Sequence, residues 1–72
     1  MINELWMDLG RGFLYYQTEE ENLHDALEEF LYRLDTIGCI HDNFGWEAIE
    51  FRDDDLNPIE TGGIGCPADY DL

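Results

Sequence analysis

Carboxylates are the side chains of this sequence with the clearest chemistry, and five of them recur at helical spacing. Glu21, Asp25, Glu28, Glu29 and Asp35 follow one another at i, i+4, i+7, i+8 and i+14, which places them along one face of a helix. Carboxylates four residues apart on a helix lie about 6 Å from one another, close to the interval between successive phosphates of a nucleic-acid strand. The stripe predicts a surface that imitates a nucleic-acid backbone.

The net charge of the chain supports an interaction role for these acids. Asp and Glu supply 18 of the 72 residues, Arg supplies three, Lys is absent, and the formal net charge is -15. A small domain with this charge repels itself, at a cost in folding stability, so the charge more plausibly serves an interaction than the fold. The expected partner is a basic protein that holds nucleic acid. Direct binding of nucleic acid or of an anionic membrane is excluded by the same charge.

Seven further acids outside the stripe are also predicted to contact the partner. Two precede the stripe in the chain, where negative charge complements the dipole of the predicted helix. The others lie on or after a predicted strand. The sequence leaves open whether they form one surface with the stripe or two. They are Glu19, Glu20, Glu47, Glu50, Asp53, Asp54 and Asp55.

Composition predicts one folded domain over residues 1–72, with an irregular segment at 61–72. Hydrophobic residues make up 44% and aromatic residues 14% of the chain, more than a disordered acidic tail contains. Two cysteines are too few for a disulfide scaffold, and no basic-then-apolar leader precedes them, so we expect a cytoplasmic protein. No apolar run approaches the roughly 20 residues that span a bilayer.

The first half of the chain predicts a β-hairpin followed by a helix. Residues 2–9 alternate apolar and polar side chains, Gly10-Arg11-Gly12 is a turn signal, and residues 13–17 favour a second strand. The period then changes to three and four residues. Thr18 and Glu21 match a capping box, and Gly38 is a stop signal, so we predict a helix over 19–37.

The second half predicts a loop, a third strand and a short fourth strand. Residues 39–45 favour the loop, 46–52 favour the third strand, and a fourth is expected around Ile59. Residues 61–67 contain too many glycines and prolines for regular structure. The order β-β-α-β predicts an α+β fold: a small antiparallel sheet with one amphipathic helix packed on one face.

No cofactor, metal or catalytic site is expected. Asp53, Asp55 and Asn57 alternate as in an EF-hand loop, but Pro58 replaces the turning glycine and Ile64 replaces the bidentate glutamate. Four potential zinc ligands lack the usual pairwise spacing, and no orienting group accompanies a cysteine nucleophile. Gly63-Ile64-Gly65 opens no helix, as a phosphate-binding loop would. The four potential ligands are His24, Cys39, His41 and Cys66.

In size, charge and the ranking of carboxylates along a helix, the chain resembles the small acidic DNA-mimic inhibitors encoded by phages and mobile elements. These include anti-CRISPR proteins, antirestriction proteins and inhibitors of uracil-DNA glycosylase. The resemblance covers charge and size, and no motif. It implies a stoichiometric inhibitor, not an enzyme, that blocks the DNA- or RNA-binding cleft of a host defence nuclease complex such as a CRISPR effector in the bacterial cytoplasm. An anti-CRISPR protein is the leading subtype.

An alternative stays open: a small phage regulatory protein that docks on RNA polymerase, or another nucleic-acid enzyme, without mimicry. It would use the predicted hairpin or a strand edge, with Trp6, Tyr15 and Tyr16 as anchors. The aromatic residues of the hairpin, Phe13 included, are otherwise expected in the core and in cross-strand pairs.

Overall fold

The computed structural model describes residues 1–36 and 44–72. Within these ranges the chain forms four strands, an α-helix and a short 3₁₀-helix: β1 (Asn3–Asp8), β2 (Phe13–Thr18), α1 (Leu23–Thr36), β3 (Ala48–Arg52), β4 (Pro58–Gly62) and the 3₁₀-helix Pro67–Tyr70. The predicted α+β class is confirmed, including the fourth strand around Ile59. In the described part of the chain, no helix has both the length and the apolar character needed to cross a membrane.

All strand pairs are antiparallel, and the order across the sheet is β2-β1-β3-β4. A tight turn joins β1 to β2, in which the Leu9 N–H donates to the Gly12 carbonyl oxygen at 2.9 Å. Gly10 adopts a φ of 80° in this turn, a conformation that glycine reaches without steric cost. The predicted hairpin is therefore confirmed, and β2 and β4 are the two edge strands.

The core lies between one face of the sheet and α1. Alternate residues of β1 and β3 point into it, as the period of two requires, and the apolar side of α1 covers them. Burial of this apolar surface is the main favourable contribution to folding. Its fully or nearly fully buried members are Leu5, Met7, Leu23, Ala26, Leu27, Phe30, Leu31, Trp46, Ile49 and Phe51.

The helix begins later than predicted, at Leu23 instead of position 19. The predicted capping box is wrong because Thr18 is the last residue of β2 and donates its hydroxyl hydrogen to Glu29. Asn22 caps the helix instead: its Oδ1 accepts from the Asp25 N–H at 2.8 Å, and its amide donates to the Asp25 carboxylate at 2.9 Å. The predicted helix end at 37–38 and most of the predicted loop 39–45 lie outside the described residues.

The end of the chain is more regular than its glycines and prolines led us to expect. Thr61 and Gly62 belong to β4, and Trp46 pairs with Gly65 through two backbone hydrogen bonds of 3.0 and 3.1 Å. Tyr70, in the 3₁₀-helix, lies against the Trp46 ring with a centroid distance of 6.0 Å. The segment therefore packs on the core. The turn residues in its sequence did not predict this, because the contacts come from side chains after Gly65.

The sheet face opposite α1 is uncovered in the described structure. Trp6 stacks on Phe13 there with ring centroids 5.3 Å apart, so the expected cross-strand pairing of aromatics is confirmed. Phe13 and Tyr15 are nonetheless 60% and 59% exposed, so their expected place in the core is wrong. Tyr16 alternates to the other face and packs against Phe30.

Candidate partner-binding surface

Two groups of predicted acids lie at the same end of the sheet. The first residues of β1 pair with Thr18 at the end of β2 and with Arg52 near the end of β3, so the segments that follow these two strands leave the sheet at the same end. Two strand spacings, about 10 Å, separate them. The acids gathered at this end are Glu19, Glu20, Glu21, Asp53, Asp54 and Asp55.

The helix stripe is shorter than the spacing predicts. Glu21 lies one residue before the Asn22 cap and is outside the helix. The part of the stripe on α1 therefore extends from Asp25 to Asp35, about 15 Å at 1.5 Å per residue. Asp25, Glu28 and Asp35 are all exposed, as the prediction requires. Among the acids before and along α1, Glu20, Asp25, Glu28 and Glu29 line one common concavity.

A shallow concavity brings four of these carboxylates together. Glu20 reaches it from the segment before α1, and Asp25, Glu28 and Glu29 reach it from the helix. The fifth lining residue is Tyr32, one turn after Glu28 and 72% exposed. Carboxylates accept the paired N–H groups of a guanidinium, and an aromatic face attracts its charge. The arrangement can therefore receive an arginine side chain from a partner.

Asp25 has a second role at the start of the helix. Hydrogen bonds from Asn22 and then from His24, whose Nδ1 lies 3.4 Å from the Asp25 carboxylate, lower the pKa of Asp25 below its ordinary value. The carboxylate is exposed and stays charged at neutral pH. It contributes negative charge to the concavity while holding the first turn of α1.

Glu29 differs from Asp25 and Glu28 because its side chain turns toward β2. Its carboxylate accepts the Thr18 hydroxyl hydrogen and lies 4.0 Å from the Arg33 guanidinium. Burial and then the neighbouring Glu29 charge raise the pKa of Tyr16 beside it. Glu29 thus joins the helix to the edge of the sheet, with part of its carboxylate in the concavity.

Two predicted contact residues lie elsewhere. Glu47 precedes β3, and its carboxylate lies close to Gly10, at the hairpin end of the sheet. Glu50 projects from the uncovered face, where the Arg52 Nε lies 3.2 Å from its carboxylate. The structure therefore separates Glu47 and Glu50 from the acidic end and from each other.

The Asp53-Asp54-Asp55 run forms the turn between β3 and β4. Asp53 Oδ1 accepts hydrogen bonds from the N–H groups of Asp55 and Asn57, both at 2.9 Å. Leu56 takes a φ of 65° in this turn. The carboxylates of the three acids lie within 4.8 Å of one another, and theirs is the one group of three or more metal-binding residues found in the described ranges. These hydrogen bonds give Asp53 a structural role in the turn. The three adjacent carboxylates repel one another.

The residues considered for zinc contribute little to the described structure. Cys39 and His41 lie outside the described residues. Cys66 is a free thiol at the start of the 3₁₀-helix, where its N–H donates to Asp69, and His24 is exposed on the first turn of α1 beside Asp25.

Sequence reasoning did not single out Tyr32, because only the carboxylates of the helix were considered as contact residues. Its position four residues after Glu28 was the available signal, since it lies on the acidic side of the helix and not on the apolar side. No protein-family model, curated protein or solved structure matches this chain.

Proposed function

We propose that this chain is a stoichiometric, non-enzymatic inhibitor that mimics nucleic acid and occupies the DNA- or RNA-binding cleft of a host defence nuclease complex, with an anti-CRISPR protein as the leading subtype. The observation that carries the proposal is the convergence of Glu20, Asp25 and Glu28 around exposed Tyr32. The fold does not account for the charge of Glu20 or Glu28, since neither carboxylate has a cationic partner among the described residues.

The mechanism is competition for cationic side chains. Arginines and lysines that hold phosphates in the target would pair with the helix carboxylates. The row of carboxylates from Asp25 to Asp35 is about 15 Å long, which matches two to three phosphate intervals of about 6 Å. The acids at the end of the sheet would offer further carboxylates to the same partner. Tyr32 adds a flat ring on which a guanidinium or an aromatic side chain of the target can stack, as a base would.

A second candidate function uses the opposite side of the molecule. Phe13 and Tyr15 are exposed beside Trp6 on the uncovered sheet face, and aromatic residues of this kind anchor protein interfaces. This observation favours a phage regulatory protein that docks on RNA polymerase or another nucleic-acid enzyme without mimicry. Such docking leaves the nucleic acid bound, so competition separates the two functions.

The test begins with a pull-down from bacterial lysates and identification of the captured proteins by mass spectrometry. A gel shift with the captured target and its nucleic acid follows. The inhibitor should release the nucleic acid, and its affinity should fall as salt rises because screening weakens the attraction between surfaces. A ternary complex with the nucleic acid still fully bound would contradict mimicry and favour regulatory docking.

A pair of matched double variants locates the surface. Glu20→Lys with Glu28→Lys reverses two charges in the concavity and should weaken target binding at least tenfold. Glu47→Lys with Glu60→Lys makes the same change in net charge away from the concavity and should weaken binding much less. Equal losses from the two variants would show that overall charge, not this surface, determines affinity.

A further inference from the structure

The outer edge of β2 differs from the rest of the molecule because it carries no charge. Its six residues read Phe-Leu-Tyr-Tyr-Gln-Thr in a chain with a net charge of -15. Edge strands usually carry charges, prolines or bulges that prevent pairing with another chain. At the other edge, β4 begins with Pro58, contains Glu60 and pairs with β3 through an irregular register at Arg52. Only the β4 edge has these protections.

The hairpin geometry defines which backbone groups of β2 are available. Leu9 and Gly12 form a hydrogen-bonded pair at the turn, and such pairs alternate along an antiparallel ladder. The register of β1 with β2 then directs the N–H and C=O groups of Phe13, Tyr15 and Gln17 away from β1. These three residues form a regular row of donors and acceptors along the free edge.

The row is complementary to itself. If a second copy runs antiparallel with a two-fold axis at Tyr15, then Tyr15 lies opposite its own counterpart, Phe13 lies opposite Gln17, and Leu14 lies opposite Tyr16. Each outward pair exchanges two backbone hydrogen bonds, about six in total. Every contacting side chain is uncharged, so the strands meet without placing like charges opposite one another.

Charge selects a second copy as the occupant of this edge. A basic partner gains little at the outer edge of β2, whose own residues carry no carboxylate, and is attracted to the acidic surface instead. Two copies of the chain repel each other at their acidic surfaces, and the neutral edge is where that repulsion is smallest. Arg33, whose side chain is 67% exposed, lies on the same side of α1 as β2, over the Tyr16 ring at 6.0 Å, and further reduces the negative potential there.

We propose that two copies pair through β2 and join their four-stranded sheets into one continuous antiparallel sheet. The two-fold axis is perpendicular to the sheet, so both helices lie on the same side and the two acidic surfaces face the same direction. The shared edge is about 20 Å long, and it buries less than the roughly 800 Å² per partner of a standard interface. The dimer is therefore weak, and screening salt strengthens it. This inference does not depend on the proposed function.

Sedimentation velocity over a series of protein and salt concentrations tests the proposal. The dimer fraction should increase with both, whereas binding to a basic target decreases with salt. Tyr15→Glu places two carboxylates opposite each other at the axis and should weaken self-association at least tenfold. Tyr32→Glu makes the same chemical change at another exposed tyrosine and should leave the dimer intact.

Two further measurements address pairing directly. Mixing Tyr15→Glu with Tyr15→Arg should restore a dimer, because opposite charges then meet at the axis. Gln17→Pro removes an outward N–H without removing a hydrogen bond to β1 and should also weaken the dimer. The proposal is overturned if the wild-type chain stays monomeric at high concentration and high salt, or if Tyr15→Glu and Tyr32→Glu dimerise equally.

Discussion

Carboxylates on the two sides of the sheet are held in opposite ways. On the uncovered face, the Arg52 guanidinium lies 3.6 Å from Glu4 and 3.2 Å from Glu50, and it stacks over Trp6 at 4.9 Å. Around the concavity, Glu20 and Glu28 converge with no cationic partner among the described residues. The first set is paired by the fold, and the second leaves its charge available.

The difference shows where charge serves stability and where it works against it. Glu4 and Glu50 are 18% and 24% exposed, and carboxylates at that depth require a partner. Glu28 is exposed to water and tolerates the absence of one, but it adds to the repulsion among its neighbours. Substitutions in the two regions should therefore change stability in opposite directions.

The largest effect is expected when the paired region loses its cation. Arg52→Gln leaves Glu4 and Glu50 half-buried without a counterion, and the free energy of unfolding should fall by about 1.5–3 kcal/mol after allowance for partial exposure. Urea denaturation measures the change. Arg11→Gln is the control: this exposed turn residue has no ion pair in the described structure, and its loss should change stability little. Equal effects from the two variants would contradict the importance of the pairing.

A smaller loss of stability is expected at the start of α1, where Asp25 is hydrogen-bonded to Asn22. Asn22→Ala removes the cap of α1 and should lower the free energy of unfolding by about 1 kcal/mol. It also removes the main hydrogen bond that lowers the pKa of Asp25, so that pKa should rise toward its ordinary value. NMR titration of the Asp25 carboxyl together with thermal unfolding checks both results. Thr18→Val tests the rejected cap and should not shift this pKa.

A matched pair of neutralisations gives the sharpest test of the comparison. Glu28→Gln removes one of the converging charges and should raise the free energy of unfolding by about 0.2–0.5 kcal/mol. Glu50→Gln makes the same change beside Arg52 and should lower it. Added salt should reduce the gain from Glu28→Gln, because screening already relieves the repulsion. If both substitutions destabilise the protein equally, the acids of the concavity have a structural role.

The smallest effect is expected at alkaline pH. The folded pKa of Tyr16 lies above its unfolded value of about 10 because burial, and then Glu29, disfavour the phenolate. Its contribution to stability is therefore complete below that value and is lost as pH rises through the folded pKa. Tyr16→Phe should flatten the decline in unfolding free energy above about pH 10, measured by denaturation at several pH values. Tyr70 has a raised pKa as well, so part of the decline should persist.

The fold was largely predictable because its elements depend on local patterns. Alternation placed Leu5 and Met7 on the buried face of β1, and the three- and four-residue period placed Leu27 and Phe30 on the buried side of α1. The start of α1 was not predicted, because Thr18 and Asn22 both suit a helix cap and only tertiary contacts decide between them. Thr18 pairs with Asn3 in the sheet and therefore cannot cap the helix.

The candidate surface was predictable in composition but not in arrangement. Helical spacing identified Asp25 and Glu28, whereas the location of Glu20 and the Asp53 turn at the same end of the sheet depends on how the strands pair. Alternation along β3 places Glu50 and Arg52 on one face, but only the pairing of β1 with β3 brings Glu4 to the same arginine.

The two tryptophans of the chain lie on opposite faces of the sheet, and their fluorescence reports on different parts of the molecule. Trp46 is 4% exposed and contacts Phe44 and Tyr70, so its emission should be blue-shifted and shielded from acrylamide. Trp6 lies at the surface beneath Arg52 and should be quenched readily. A change in the core beside the 3₁₀-helix and a change on the uncovered face are thus distinguishable in a single unlabelled sample.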